Sequence, residues 1–307
     1  MQDMGEGRSI FLSSKSILRG FFMLPLALAR YRDHTIISSH GYLNAVLGAL
    51  RRIGYLRGRL IARESTSIFL RYKGLHKNIY SLLYRAGYPA LDTIITQSEL
   101  MSQQLRAQAP YLNPQRIRVV DNPLDFALAR QMGESEQPPE QGGYICAAGR
   151  LIAIKGFDVL ICAFAQISSS YPELKLVILG EGEQRGYLSE LIERLSLTHR
   201  VILAGYKANP FSYFRRAKLC VVSSALEGFP NVLLQMMAVN SCIVSTLCAG
   251  GIADIPGIIK VQPSSKFAME TALRSALDQG EINRGEIDEY LLRRSPKGFL
   301  QKVMQSR

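Results

Sequence analysis

The sequence predicts an α/β protein with two parallel-sheet layers, and three observations carry that prediction. Short apolar runs alternate with stretches of helical period along most of the 307 residues, the pattern of βαβ units whose strands are covered on both faces. A composition of 47% apolar and 20% charged residues supports large cores and excludes disordered and low-complexity classes. The stretch 132–143 is polar, acidic and rich in Pro and Gly, so it reads as a linker. It divides the chain into 1–137 and 138–307.

In the first part, helical period over 16–31 is followed by a strand at Thr35–Ile37 and a helix at 43–53. A strand at Leu60–Ala62 then leads to a helix at 75–87, and a strand at Thr93–Thr96 to a helix at 98–107, before a strand at Ile117–Val120. An open α/β sheet ordinarily begins on a central strand leading into a ligand loop. This part begins on a helix, so its domain is expected to be incomplete by roughly two βα units. The second part is more regular. Strands are expected at Tyr144–Ala148, Leu174–Leu179, Val201–Ala204, Leu219–Val222 and Cys242–Ser245, with helices at 156–170, 183–196, 210–217 and 230–239 between them. Pro230 suits a first helical turn, where its missing N–H costs nothing.

The longest apolar stretch, Phe21 to Ala29, is about half of the ~20 residues a spanning helix needs. Arg19 before it and Ala27-Leu28-Ala29 at its end imitate a secretory signal. The long lead with Asp3 and Glu6 does not fit one, so a cytoplasmic protein is expected. Five cysteines, without a C-x-x-C pair, read as small buried thiols rather than a disulfide framework or a zinc site.

Charge is uneven. Residues 1–130 hold 18 Lys and Arg against 8 Asp and Glu, whereas residues 131–307 hold 19 against 17. The excess includes Arg51, Arg52, Arg57, Arg59, Arg63, Arg71, Lys73, Lys77 and Arg85, interleaved with tyrosines. A solvated basic face accounts for this, as does a phosphate-bearing ligand or an anionic membrane surface, where basic stems and amphipathic rings both sit well. No helix-turn-helix, RNP or C2H2 pattern supports nucleic acid.

Ligands of such sheets bind beyond the carboxyl ends of the strands, so those loops hold the candidate chemistry. After the strand at 144–148, Gly149 permits a tight exit, and Arg150 and Lys155 converge where the next helix opens, an arrangement suited to an anion such as diphosphate. Surface Arg and Lys are the plainer reading of that spacing alone. After the strand at 219–222 comes Ser223-Ser224-Ala225-Leu226-Glu227-Gly228-Phe229-Pro230-Asn231-Val232, with Gln235 deeper in the helix. The Glu227 carboxylate can accept hydrogen bonds from sugar hydroxyls, or simply complement the helix dipole. Gly250-Gly251, Gly180-Glu181-Gly182-Glu183 and Gly205-Tyr206 complete the set.

Taken together, residues 144–263 resemble the nucleotide-sugar domain of the retaining GT-B glycosyltransferases of family 4. The G-R-x4-K-G run at 149–156, the G-E-G-E turn, S-x2-E-G-F-P-N-V at 224–232 and the G-G-I-x-D loop carry the resemblance. It extends more loosely to Ser38-Ser39-His40, Thr96-Gln97-Ser98-Glu99 and Asp121-Asn122-Pro123-Leu124-Asp125. The resemblance implies a GT-B fold of two Rossmann-like domains facing across a cleft, with the final helices able to cross back. It implies transfer of a hexose or N-acetylhexosamine from a nucleotide diphosphate sugar, UDP-sugar favoured, with retained configuration. Arg150 and Lys155 would bind the diphosphate, Glu227 the sugar hydroxyls, and the backbone from Gly228 through Phe229 and Asn231 to Val232 the sugar and phosphate. Gly205 and Tyr206 would lie near the base, and His40 would face the donor sugar, although a lone His is otherwise often structural.

Two positions depart from the family. Its second Glu is Gln235 here, which keeps hydrogen bonding to ribose but not the charge, and the glycine-rich opening loop has no counterpart. No D-x-D occurs, so a metal-independent reaction without a cofactor is expected. The basic first half points to a polyprenyl-linked or glycan acceptor at the inner membrane surface, with the protein peripherally associated there. A truncated, non-catalytic paralogue that binds nucleotide or a partner without turnover, and a GT-B UDP-sugar epimerase, are the alternatives.

Overall fold

The computed structural model describes residues 17–65, 74–135, 143–280 and 284–305. Its first layer runs α1 (Ile17–Leu28), β1 (Ile36–Ser38), α2 (Gly41–Arg52), β2 (Leu60–Arg63), α3 (Gly74–Gly87), β3 (Thr93–Thr96), α4 (Glu99–Gln108) and β4 (Ile117–Val119). The four strands form a parallel sheet in the order β1-β2-β3-β4. Helix α5 (Phe126–Glu134) precedes the second layer. That layer comprises β5 (Tyr144–Ala148), α6 (Phe157–Ile167), β6 (Lys175–Leu179), α7 (Arg185–Arg194), β7 (Val201–Gly205), α8 (Phe211–Arg216), β8 (Leu219–Val222), α9 (Asn231–Val239) and β9 (Ile243–Thr246). It continues through β10 (Ile259–Val261), α10 (Lys266–Gln279) and α11 (Arg284–Leu292), and α12 (Pro296–Met304) follows.

The second sheet is parallel throughout, in the order β10-β9-β8-β5-β6-β7. The chain winds outward from β5 through β6 to β7, then returns to β8 on the other side of β5. This reversal opens a crevice beyond the carboxyl ends of β5 and β8, where helices depart to opposite faces. The alternation of strand residues shows why the sheet is covered twice. Ile145, Ala147, Leu176, Ile178, Leu219 and Val221 enter one core, and Tyr144, Cys146, Val177, Leu179, Cys220 and Val222 the other. All five cysteines are thiols and not half-cystines, and burial pushes the Cys146 and Cys220 thiols well up, so they pack as small apolar groups.

On the first sheet, Leu60, Ala62 and Ile94 pack against Leu47 of α2 and Tyr80 and Tyr84 of α3. Its other face is covered from far along the chain. Val303 and Phe299 of α12 pack on Ile61, Ile95 and Val120. Arg59 and Arg118 donate to the carbonyls of Met304 and Gln305 at 2.8 and 2.9 Å, placing cations at the helix C-terminus. Helix α5 behaves conversely: Ala129 joins the core of the second sheet. The region 132–143, read as linker, is therefore helical as far as Glu134, because Gly133 packs close to Val239 and Met132 reaches that core. Residues 136–142 lie outside the described residues. Strand β10 and helix α10, which carry no motif, were not expected.

At the end of β2 the chain buries a carboxylate. Glu64 accepts hydrogen bonds from the Tyr84 hydroxyl at 2.6 Å, from the Tyr88 hydroxyl, and from the Asn44 amide at 3.4 Å. The two tyrosine rings stack with centroids 3.7 Å apart. Burial raises the Glu64 pKa above the usual carboxylate value, and the three donors oppose that shift. This network holds β2 against α2 and α3, and so fixes the neighbouring Arg63 and Ser65 at the crevice.

Candidate active site

A cleft of about 610 Å³ lies between the two sheets at the carboxyl ends of their strands. A larger cavity, about 780 Å³, opens at the opposite end, where β8 and β9 begin. Its three arginines are already paired, Arg130 and Arg284 with Asp288 at 2.7 Å each and Arg215 with Glu134 at 3.4 Å, and no strand-end motif of the sequence lines it, so the cleft is the better site.

The loop leaving β5 forms one wall. Gly149 and Arg150 lead to a 3-10 turn over Ala153–Lys155, and Gly156 caps α6 with φ +63°. A β-carbon on Gly156 would meet the Ser223 carbonyl oxygen at 2.3 Å, so only glycine fits. The two neighbouring loops are stitched here. The Ser223 hydroxyl donates to the Lys155 carbonyl at 2.8 Å, and the Ala225 N–H to the Ile154 carbonyl at 2.8 Å.

This stitching brings Lys155 and Glu227 together across 72 residues of sequence. The Lys155 ammonium donates to Glu227 Oε1 at 2.5 Å, and the Ser224 hydroxyl donates to the same oxygen at 2.9 Å. Their side chains are only 17% and 19% exposed, which makes this pair stronger than a surface ion pair. The Glu227 N–H donates to the Cys248 carbonyl at 2.8 Å, tying in the third loop. Gly250 of that loop packs against Leu100 of α4 and Ser98 at the N-cap of that helix, and Glu227 also borders a side cavity of about 140 Å³ there.

Helix α9 opens toward the cleft without a side-chain cap, and Pro230 stands at its N-cap, so the helix begins one residue later than the expected start at 230. First-turn N–H groups lack intrahelical partners, and the dipole adds partial positive charge, so this end favours an anion. Gly228, Phe229, Asn231, Val232 and Gln235 all line the cleft, as do Gly149, Arg150 and Lys155. Tyr206 lies at the far end, 77% exposed, beside Lys207. Gly205 is not among the lining residues; its φ of +75° directs Tyr206, and its carbonyl accepts from the Gly180 N–H at 2.8 Å.

The first sheet contributes Arg63, Ser65 and Gln97. The structure does not bring His40 to the cleft. That residue is exposed at the N-cap of α2, its ring stacked on Tyr42 at 5.9 Å. It follows β1, the strand most distant from β4 in the sheet, whereas the cleft is lined from β2 and β3. Asn122 links the layers: its amide donates to Asn231 Oδ1 at 2.5 Å and to Gln97 Oε1 at 3.3 Å, and it accepts from Arg63 Nη2 at 2.5 Å. Arg63 carried only a share of the basic charge in the sequence reading. Its place directly after an apolar strand run was the signal available.

Two facing parallel sheets, with an anion-seeking helix end and paired Lys and Glu in the cleft between them, define a GT-B glycosyltransferase. A family model described as glycosyl transferases group 1 matches residues 130–287, and the chain belongs to that family. It is 27% identical over 284 residues to a Campylobacter jejuni N-acetylgalactosamine-N,N'-diacetylbacillosaminyl-diphospho-undecaprenol 4-alpha-N-acetylgalactosaminyltransferase, covering 89% of this chain and 76% of that protein. It is 31% identical over 191 residues to an uncharacterized glycosyltransferase of Methanocaldococcus jannaschii, covering 60% of this chain and 46% of that protein. The solved structure of Anabaena Alr3699/HepE in complex with UDP and glucose shares the fold, with TM-score 0.75 and 17% identity over 92% of this chain and 79% of that one.

Proposed function

We propose that the chain transfers a hexose or N-acetylhexosamine from a nucleotide diphosphate sugar, UDP-sugar favoured, to a lipid-linked or polysaccharide acceptor of a bacterial surface polysaccharide. The observation that carries this reading is the convergence of Arg150, Lys155 and the uncapped start of α9 on one cleft. As the bond between sugar C1 and the β-phosphate oxygen breaks, its electron pair stays on the phosphate. The two cations and the helix end stabilise that charge without a metal. The acceptor oxygen bonds C1 on the face the phosphate leaves, retaining configuration, and its proton passes to the departing phosphate oxygen. Glu227 holds sugar hydroxyls, Gln235 the ribose and Tyr206 the base. The named activity of the Campylobacter protein and the UDP and glucose in the Anabaena structure support this choice.

Calorimetric titration with UDP, GDP and ADP in EDTA tests the donor site. UDP is expected to bind, and binding by none of the three would overturn the reading.

The acceptor is placed at an anionic membrane, with the protein on its cytoplasmic side. Among the described residues no helix is long and apolar enough to cross a bilayer. Helix α3, however, exposes Leu75, Ile79 and Leu82 on one stripe, with Lys77 and Arg85 on the same helix. Arg52 donates to the Ala86 carbonyl at the end of that helix, adding a further cation. An apolar stripe rimmed by cations suits a lipid interface. Flotation with phosphatidylglycerol-containing vesicles is expected to carry the protein, and a Leu75→Ser/Leu82→Ser variant to be left behind. Equal flotation of both would remove α3 from the docking surface.

A further inference from the structure

Arg63 is the residue whose environment the fold alone leaves unexplained. Its side chain forms part of the cleft wall supplied by the first sheet. Burial lowers its pKa from the ordinary guanidinium value, and Nε is buried with no hydrogen-bond partner. Among the described residues no carboxylate pairs with it, whereas Lys155 has Glu227, Lys207 lies over the Tyr213 ring and Arg150 is exposed. The bond from Nη2 to Asn122 is neutral and leaves the charge uncompensated. A partly desolvated charge without a counter-ion is costly, and such a group at a cleft points to an anionic ligand.

The direction of the guanidinium identifies which anion. Asn122, which orients it, also bonds Asn231, the first residue of α9. Arg63 is thereby held two hydrogen bonds from the helix end that faces Arg150 and Lys155. We propose that Arg63 is a third cation on the donor diphosphate, supplied by the first sheet opposite the two supplied by the second. This rests on the donor-site reading above and extends it. The planar fork of a guanidinium suits two phosphate oxygens at once, including the unpaired Nε–H. The diphosphate is then gripped from both layers, so donor binding draws the sheets together, and Arg63 shares the charge that grows on the leaving phosphate.

The experiment compares UDP with uridine by calorimetry, without acceptor, for the full chain and for the Arg63→Gln, Arg63→Lys and Asn122→Ala variants. Hydrogen bonds to charged groups contribute about 1.5–3 kcal/mol, so Arg63→Gln is expected to weaken UDP roughly 10- to 100-fold and leave uridine within about two-fold. Arg63→Lys should fall between, keeping the charge but losing the fork, and Asn122→Ala should lose less than Arg63→Gln. Unchanged UDP affinity in Arg63→Gln would overturn the proposal while leaving the donor site standing, even if transfer to a lipid-linked acceptor fell. Equal losses for UDP and uridine, or a full loss reproduced by Asn122→Ala, would also overturn it by making Arg63 a strut. Failure of the unaltered chain to bind any nucleoside diphosphate would remove both readings together.

Discussion

Lys155→Ala is expected to lower sugar transfer by about 10²- to 10³-fold, the usual effect of removing one preorganised charge donor from a developing oxyanion. Two changes add together in this variant. A cation proposed to hold the diphosphate disappears, and Glu227, 2.5 Å from it and largely buried, loses its ionic partner. An unpaired carboxylate then faces the phosphates and repels them. Because the second effect is repulsion, it should be reversible. A Lys155→Ala/Glu227→Ala variant is expected to bind UDP more tightly than Lys155→Ala alone, while remaining inactive for want of contacts to the sugar. Calorimetry on the two variants checks this, and UDP affinity equal to that of the unaltered chain in Lys155→Ala would displace Lys155 from the diphosphate.

Gly156→Ala is expected to be among the most damaging methyl groups that can be added near the cleft. The new carbon would lie 2.3 Å from the Ser223 carbonyl oxygen, an atom of the backbone and not of a side chain that can rotate away. Both segments are held in place, by the Ser223 to Lys155 bond and by the Ala225 to Ile154 bond. The left-handed conformation, φ +63°, adds about 1–2 kcal/mol for a residue with a β-carbon. The total destabilisation should exceed about 3 kcal/mol, with transfer lost as Lys155 is displaced. Gly54 supplies the comparison, since its φ is +75° but nothing lies within 4 Å of a β-carbon there. Urea unfolding of Gly54→Ala should show only the conformational cost. Equal losses in the two variants would remove the clash from the account.

The second layer was legible in the sequence because its determinants are local. Most of its strands are apolar runs, and the loops and helix starts that follow them carry the polar residues, so Gly149, Arg150, Lys155, Glu227 and Gln235 could be located before any geometry was known. The meeting of Lys155 with Glu227 was not legible, since it depends on β5 and β8 being neighbours. The first layer was harder for the same reason. Which strand end faces the cleft depends on strand order, and the sequence reading chose His40 after β1, where the sheet presents Arg63 after β2 and Gln97 after β3. The end of α5 was misread because Met132 and Gly133, ordinary in a polar stretch, have apolar neighbours supplied only by packing on the second sheet.

The docking of α12 on the first sheet also governs when that sheet can be finished. Ile61, Ile95 and Val120 are made early, but Val303, which covers them, is among the last described residues to be added. At roughly 5–20 residues per second, the 187 positions separating Arg118 from its partner Gln305 take about 10–40 s to synthesise. Throughout that interval an apolar sheet face stands open on the nascent chain, exposed to chaperones and to other growing chains. Maturation of the half that carries the excess of basic residues therefore waits for the synthesis of α12.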